Sequence, residues 1–235
     1  MIKFTWLAHA SFLIEGGGLR IITDPYEPNE TMNLPPVTEP ADIVVRSSDD
    51  DEAHCYVDTI PPGFALVTAT DIVETGASAR GIDFSAIWSM ESLTKEDNII
   101  RDNAMYRFTL DGVHITHMGD VGNRLSSGQI DDLRGTDVLM ALAGGHPTIE
   151  LADLNEVIEA IKPRVVIPMH YRIPGPRFFM LPVTTFTSTY DPERVTIADS
   201  HSVEFSRDTL PQKTQIVVLN PTHTRPNDYY ADWQP

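Results

Sequence analysis

Met105-Tyr-Arg-Phe-Thr-Leu-Asp-Gly-Val-His-Ile-Thr-His-Met-Gly-Asp120 consists of two alternating runs around an Asp-Gly pair, followed at once by a short polar loop. Alternation of apolar and polar residues marks half-buried strands. Asp-Gly marks the tight turn between them, because both residues tolerate the positive φ that a two-residue hairpin requires. The loop that follows, Thr116-His-Met-Gly-Asp-Val-Gly122, places ionisable side chains directly after a strand. The same arrangement recurs twice. Ala143-Gly-Gly-His-Pro-Thr-Ile149 follows a strand-like run over residues 137–143, and Ile167-Pro-Met-His-Tyr171 closes another over residues 164–168. Chemistry-bearing residues gathered at strand ends are the pattern of a site grafted onto a sheet edge.

Outward from this stretch, residues 2–14 alternate and then run apolar, Gly16-Gly17-Gly18 supplies a turn, and residues 19–22 restart, which predicts a hairpin. Residues 26–40 carry four prolines and predict a loop crossing the surface. A short buried strand is expected over residues 41–45, with the acidic stretch Ser48-Asp-Asp-Asp-Glu52 immediately after it. Residues 64–87 alternate strand-like runs with turns. Apolar residues at helical spacing over residues 151–161 predict a helix that stops at Lys162-Pro163. The last convincing strand covers residues 215–219. The expected organisation is one domain over residues 1–220 and a C-terminal extension over 221–235, packed on the surface or on a partner. Hairpins followed by strands alternating with helices imply a layered α/β sandwich rather than a doubly wound sheet.

A chain of 235 residues with 41% hydrophobic and 22% charged residues suits a single α/β domain with a sizeable core. The formal charge of −17 disfavours nucleic acid and anionic membrane surfaces, since there is no basic patch to displace counterions from phosphate. No apolar run approaches the roughly 20 residues of a spanning helix, and the N-terminus lacks the layout of a signal peptide. Cys55 is the only cysteine, so an intrachain disulfide is impossible; this fits a cytoplasmic protein, and Cys55 reads as a small buried hydrophobe.

The combination of Trp6-Leu-Ala-His-Ala-Ser-Phe12, Ile22-Thr-Asp-Pro25, Gly119-Asp120, Gly144-Gly-His-Pro-Thr148 and Pro168-Met-His-Tyr171 resembles the metallo-β-lactamase superfamily. Within it, the chain is similar to small stand-alone hydrolases of the ascorbate-phosphate lactonase type. The resemblance spans roughly residues 2–221. It implies an αββα sandwich, two packed mixed β-sheets flanked by helices, with metals held at one edge by loops at strand ends.

The same resemblance exposes a departure. The family's first metal loop, His-x-His-x-Asp-His, falls on Ser48, Asp50, Glu52 and Ala53, and a further family histidine falls near Glu91. Asp120 and His170 are intact, and His54 lies one residue beyond the loop. The implied metal residues are therefore Asp50, Glu52, His54, Glu91, Asp120 and His170. Asp50, Glu91 and Asp120 would form one oxygen-rich site, and Glu52, Asp120, His170 and His54 a second. Oxygen-rich shells favour manganese or iron over zinc. Catalytic roles fall to Asp120, to Glu52 or Asp50 as proton acceptor, and to His146 or Tyr171 as hydrogen-bond donors to a developing oxyanion. His9 either orients a metal ligand from behind or is a satisfied structural histidine, and Asp24 reads as a turn residue.

The function implied is hydrolysis of a small-molecule ester, lactone, amide or phosphoester by a metal-activated water. Two other classes stay open at this point. One is a metal-free pseudoenzyme or binding protein on the same fold; the other is non-hydrolytic manganese or iron chemistry. A small-molecule substrate is the expected partner, with no nucleic acid, no membrane and a homo-oligomer as an option.

Overall fold

A computed structural model describes residues 1–91 and 102–225. Two mixed sheets face each other across the core. The strands are β1 (Ile2–Ala8), β2 (Ser11–Gly16), β3 (Leu19–Thr23), β4 (Ile43–Arg46), β5 (Ala65–Thr68), β6 (Ala77–Ala79), β7 (Ile82–Met90), β8 (Asp102–Leu110), β9 (Val113–His117), β10 (Val138–Leu142), β11 (Val165–Met169), β12 (Val195–Ile197), β13 (Ser202–Phe205) and β14 (Gln215–Val218). The first sheet runs β13-β1-β2-β3-β4-β5 and the second β12-β14-β11-β10-β9-β8-β7-β6. The helices are α1 (Glu52–Cys55), α2 (Ser127–Asp132), α3 (Leu151–Ile161) and α4 (Val183–Thr187). This is the expected αββα sandwich.

The hairpin at the centre of the sequence forms as its pattern dictates. β8 and β9 pair antiparallel with Leu110 opposite Val113, and the intervening Asp111 and Gly112 adopt φ of 44° and 74°. Two successive positive φ values match the right-handed twist of the strands, which is why Asp-Gly is suited there. Gly17 and Gly18, at φ of 57° and 77°, make the equivalent turn between β2 and β3. From β9 onward the second sheet turns parallel: β9, β10, β11 and β14 are successive parallel neighbours. Parallel neighbours need crossovers. α3 supplies the one between β10 and β11, burying Leu154, Val157, Ile158 and Ile161 at the i, i+3, i+4, i+7 spacing of an apolar stripe. Lys162 ends the helix in a left-handed cap at φ 50°, ahead of Pro163.

Two expectations are corrected. Residues 2–14 are not one strand arm: the chain reverses at His9-Ala10 between β1 and β2. No Gly, Pro or Asn signals that reversal. Side-chain and long-range bonds hold it instead, since the His9 carbonyl accepts from the nearby Trp6 Nε1 at 3.1 Å and from the distant His170 N at 3.0 Å. The proline-rich segment over residues 26–40 does lack strand and helix, but it buries Tyr26, Met32, Leu34 and Val37, so it covers part of the core. Of the expected C-terminal extension, residues 226–235 lie outside the described residues. Its start is tied to the first strand, with Thr222 N donating to Trp6 O at 3.0 Å and His223 N to Leu7 O at 2.8 Å. Among the described residues no helix is long and apolar enough to cross a membrane.

Candidate metal centre

The five segments that matter all leave strands at the same edge of the sandwich. His9 follows β1, Asp24 follows β3, Asp51 and His54 follow β4, Asp120 follows β9, and His170 follows β11. His9, Asp24 and His170 each sit at positive φ, 53°, 37° and 52°. Left-handed backbone at non-glycine residues costs energy and persists where the surroundings over-determine it, most often at functional sites.

Asp24 is the hub of the site, fully buried and accepting from Ser47 N (3.0 Å), Ser47 Oγ (2.6 Å), Tyr106 Oη (2.9 Å) and His54 Nδ1 (2.9 Å). Burial alone would raise its pKa, but His117, His54 and the Ser47 hydroxyl outweigh that, so Asp24 stays ionised. A carboxylate on Nδ1 fixes the tautomer of His54 and aims Nε2 forward, the way proteins orient a metal-binding imidazole. Nε2 then lies 3.7 Å from Asp120 Oδ1 and 3.9 Å from Asp51 Oδ2, while His170 Nε2 lies 3.5 Å from the same Asp120 oxygen. Burial opposes a proton on His54, yet Asp120, Asp24 and Asp51 together raise its pKa to about 10. His170 is driven the other way, to about 3, by burial first and then by His54. His9 is also held neutral, by burial first and then by His170 and His54.

His117 resolves differently from His9. Its Nε2 lies 2.8 Å from the Ala10 carbonyl and its Nδ1 accepts from Gly119 N at 2.9 Å, so both nitrogens are bonded. It ties the reversal that carries His9 to the loop that carries Asp120. Asn103 adds a second brace, its Oδ1 accepting from Asp120 N at 2.9 Å. Gly119, at φ 61°, runs so close that a Cβ there would meet Asn103 Oδ1 and lie 2.6 Å from Ser47 Cβ. Only glycine fits between these two side chains.

Two groups of side chains have donor atoms mutually within 4.8 Å: His9, His54 and His170; and Asp51, His54 and Asp120. The fit to a cation rests on orphaned nitrogens. Both nitrogens of His9, Nε2 of His54 and Nδ1 of His170 are buried without a hydrogen-bond partner among the described residues. Each such atom costs about 1–3 kcal/mol if nothing engages it. Neutral imidazole with carboxylate is a donor set for zinc, iron or manganese. The residues present fit a divalent metal.

Of the residues expected at the metal, His54, Asp120 and His170 are brought together. Asp50 and Glu52 are not: the exposed Asp50 accepts from Ser48 Oγ at 2.7 Å, and the exposed Glu52 turns toward Glu27, whose hydrogen bond and charge raise its pKa. The reason is α1. Asp51 caps it by accepting from Ala53 N at 3.0 Å, and in the helical turn residues two apart point roughly 200° from each other, so His54 faces inward when Glu52 faces out. Glu91, at the end of β7, belongs to neither group. His146 is exposed on the loop after β10. Tyr171 is committed elsewhere: its hydroxyl donates to Leu219 O at 3.2 Å and its ring packs on Trp6 at 4.9 Å, so it is not placed to donate to an oxyanion. Asp51 and His9 complete the two groups and are not among the residues the sequence reading placed at the metal. Asp51 was hidden in an acidic run, and His9 lies at a turn without a turn signal.

The description "Beta-lactamase superfamily domain" matches residues 3–170, so the chain belongs to that family. Relatives include proteins described as UPF0173 metal-dependent hydrolases. The one from Archaeoglobus fulgidus is 28% identical over 72% of this chain and 83% of its own length, and the one from Thermococcus kodakarensis is 28% identical over 73% and 85%. A solved structure from Thermotoga maritima, described as a candidate zinc-dependent hydrolase of the metallo-β-lactamase superfamily, superposes with a TM-score of 0.73. It is 25% identical and covers 93% of this chain and 98% of its own.

Proposed function

We propose that the chain is a metal-dependent hydrolase of a small-molecule ester, lactone, amide or phosphoester. The observation that carries the reading is the convergence of Asp51, His54, Asp120 and His170, with His54 Nε2 buried and without a hydrogen-bond partner among the described residues and His170 Nε2 3.5 Å from Asp120 Oδ1. A divalent cation supplies Lewis acidity there, lowering the pKa of water and polarising the oxygen of the scissile group. A mixed nitrogen and oxygen set of four side chains, completed by water, suits manganese or iron, which accept five or six ligands.

The residues do the rest. Asp24 holds His54 in one tautomer, and Asn103 and His117 hold the Asp120 loop against the His9 turn. Asp120 takes a proton from the attacking water and returns it to the leaving group, an oxygen in esters and an amine nitrogen in amides. His146, exposed on the loop after β10, would donate a hydrogen bond to a substrate oxygen. Glu52 has no part in this scheme because it faces Glu27.

The test is a panel of esters, lactones, amides and phosphoesters assayed with metal-loaded and chelator-treated protein. Hydrolysis should be lost on chelation and restored by manganese or iron(II). Asp120→Asn should lower kcat at least about 100-fold, the scale of a lost general base, without changing far-UV circular dichroism. Turnover that survives both chelation and Asp120→Asn contradicts the reading.

A further inference from the structure

We propose that His9 is a direct metal ligand and that the chain holds a single cation, with His9, His54 and His170 on one side and Asp51 and Asp120 on the other. The proposal rests on the metal-dependent reading above. It adds a ligand from the first turn of the chain and a stoichiometry.

The contrast with His117 carries the first half. Both histidines are buried, at 1% and 0% exposure. The structural one, His117, has both nitrogens bonded, whereas neither nitrogen of His9 has a hydrogen-bond partner among the described residues. A histidine kept for packing would be satisfied in the way His117 is. His9 is instead packed on other imidazoles, its ring centroid 4.0 Å from that of His170 and 4.9 Å from that of His54. Donor atoms of all three lie within 4.8 Å of one another, close enough to share one ion. The backbone is built to hold this arrangement. His9 and His170 are both left-handed, and His170 N donates to the His9 carbonyl at 3.0 Å, so one strained turn is locked directly onto the other.

Counting lone pairs on His54 carries the second half. Nδ1 is committed to Asp24 at 2.9 Å, which leaves Nε2 as the one nitrogen available. Both groups of candidate ligands among the described residues include His54. One lone pair binds one cation, so the two groups are two faces of the same site. The imidazoles missing from the acidic stretch are thus replaced by a histidine from the β1–β2 reversal, and the shell is richer in nitrogen than the loop sequence implies.

The experiment uses cobalt(II) as the probe, with wild type, His9→Ala and His9→Asn. Asparagine tolerates left-handed backbone, so His9→Asn preserves the turn if alanine does not. Cobalt content per chain is measured after dialysis, affinity by competition with a chelating dye, and the ligand set by the visible absorption of the bound ion. The expected result is one cobalt per chain in wild type. Both variants should bind more than about 100-fold more weakly, beyond the 10–100-fold that loss of an outer partner costs, with an altered spectrum. Variants that match wild type in affinity and spectrum overturn the role of His9. Two cobalt ions per chain overturn the single-cation site. Wild type that binds no cobalt overturns the metal-dependent reading itself, and with it this proposal.

Discussion

Asp24→Ala should destabilise the metal-free protein by about 3–5 kcal/mol, the scale of removing one partner from a buried charged network. The carboxylate is fully buried and takes four hydrogen bonds, from Ser47 twice, Tyr106 and His54. Alanine would strand all four donors at once. It would also leave His54 with Asp51 and Asp120 at 3.9 and 3.7 Å as its nearest counter-charges. Asp24→Asn should cost less, because its carbonyl still accepts from Tyr106 and Ser47. Urea denaturation of the two variants checks the order, and a loss below about 1 kcal/mol for Asp24→Ala, the size of one ordinary hydrogen bond, contradicts the hub role.

His54→Ala should weaken cation binding by about 1,000-fold or more, exceeding the effect of an outer partner because the forward lone pair itself is removed. The wild-type protein should also show a pH signature. Burial disfavours a proton on His54 but the surrounding carboxylates raise its pKa to about 10, so at neutral pH the metal-free site holds a proton that an incoming cation must displace. Affinity should therefore rise about tenfold per pH unit from pH 7 toward 9, with one proton released per cation, a slope that His54→Ala abolishes. The sign for stability follows from the same shift. A raised histidine pKa contributes stability that is complete below its unfolded value of about 6.5 and is lost as pH climbs through the folded value. His170, depressed to about 3 by burial and by His54, acts oppositely, its contribution being lost as pH falls below about 6.5. Metal-free protein should be most stable near that pH. Calorimetry in buffers of different ionisation enthalpy reads the proton release, and a pH-independent affinity contradicts it.

The sandwich was legible because its signals are local. Asp111-Gly112 and Gly17-Gly18 dictate two turns, and the stripe from Leu154 to Ile161 dictates α3. Asp120 and His170 were legible through the family resemblance, which Gly119-Asp120 and Pro168-Met-His-Tyr171 carry in short contiguous stretches. The rest of the site depends on contacts distant in sequence. Asp24 looks like a turn residue until Tyr106, 82 positions away, donates to it. The His9 reversal is held by His170 and His117 rather than by its own residues. The acidic stretch reads differently in the fold for a geometric reason: α1 winds Asp51 and His54 toward Asp120 and turns Glu52 outward, so a ligand spacing carried over from an extended loop picks side chains that the helix turns away.

The most direct measurement is an anomalous difference map from crystals grown with manganese, recorded with the protein otherwise unaltered. One strong peak is expected within bonding distance of His54 Nε2 and Asp120, with His170 beside it. A peak on Asp50 and Glu52 with none at His54, or no peak at that strand-end edge, contradicts it.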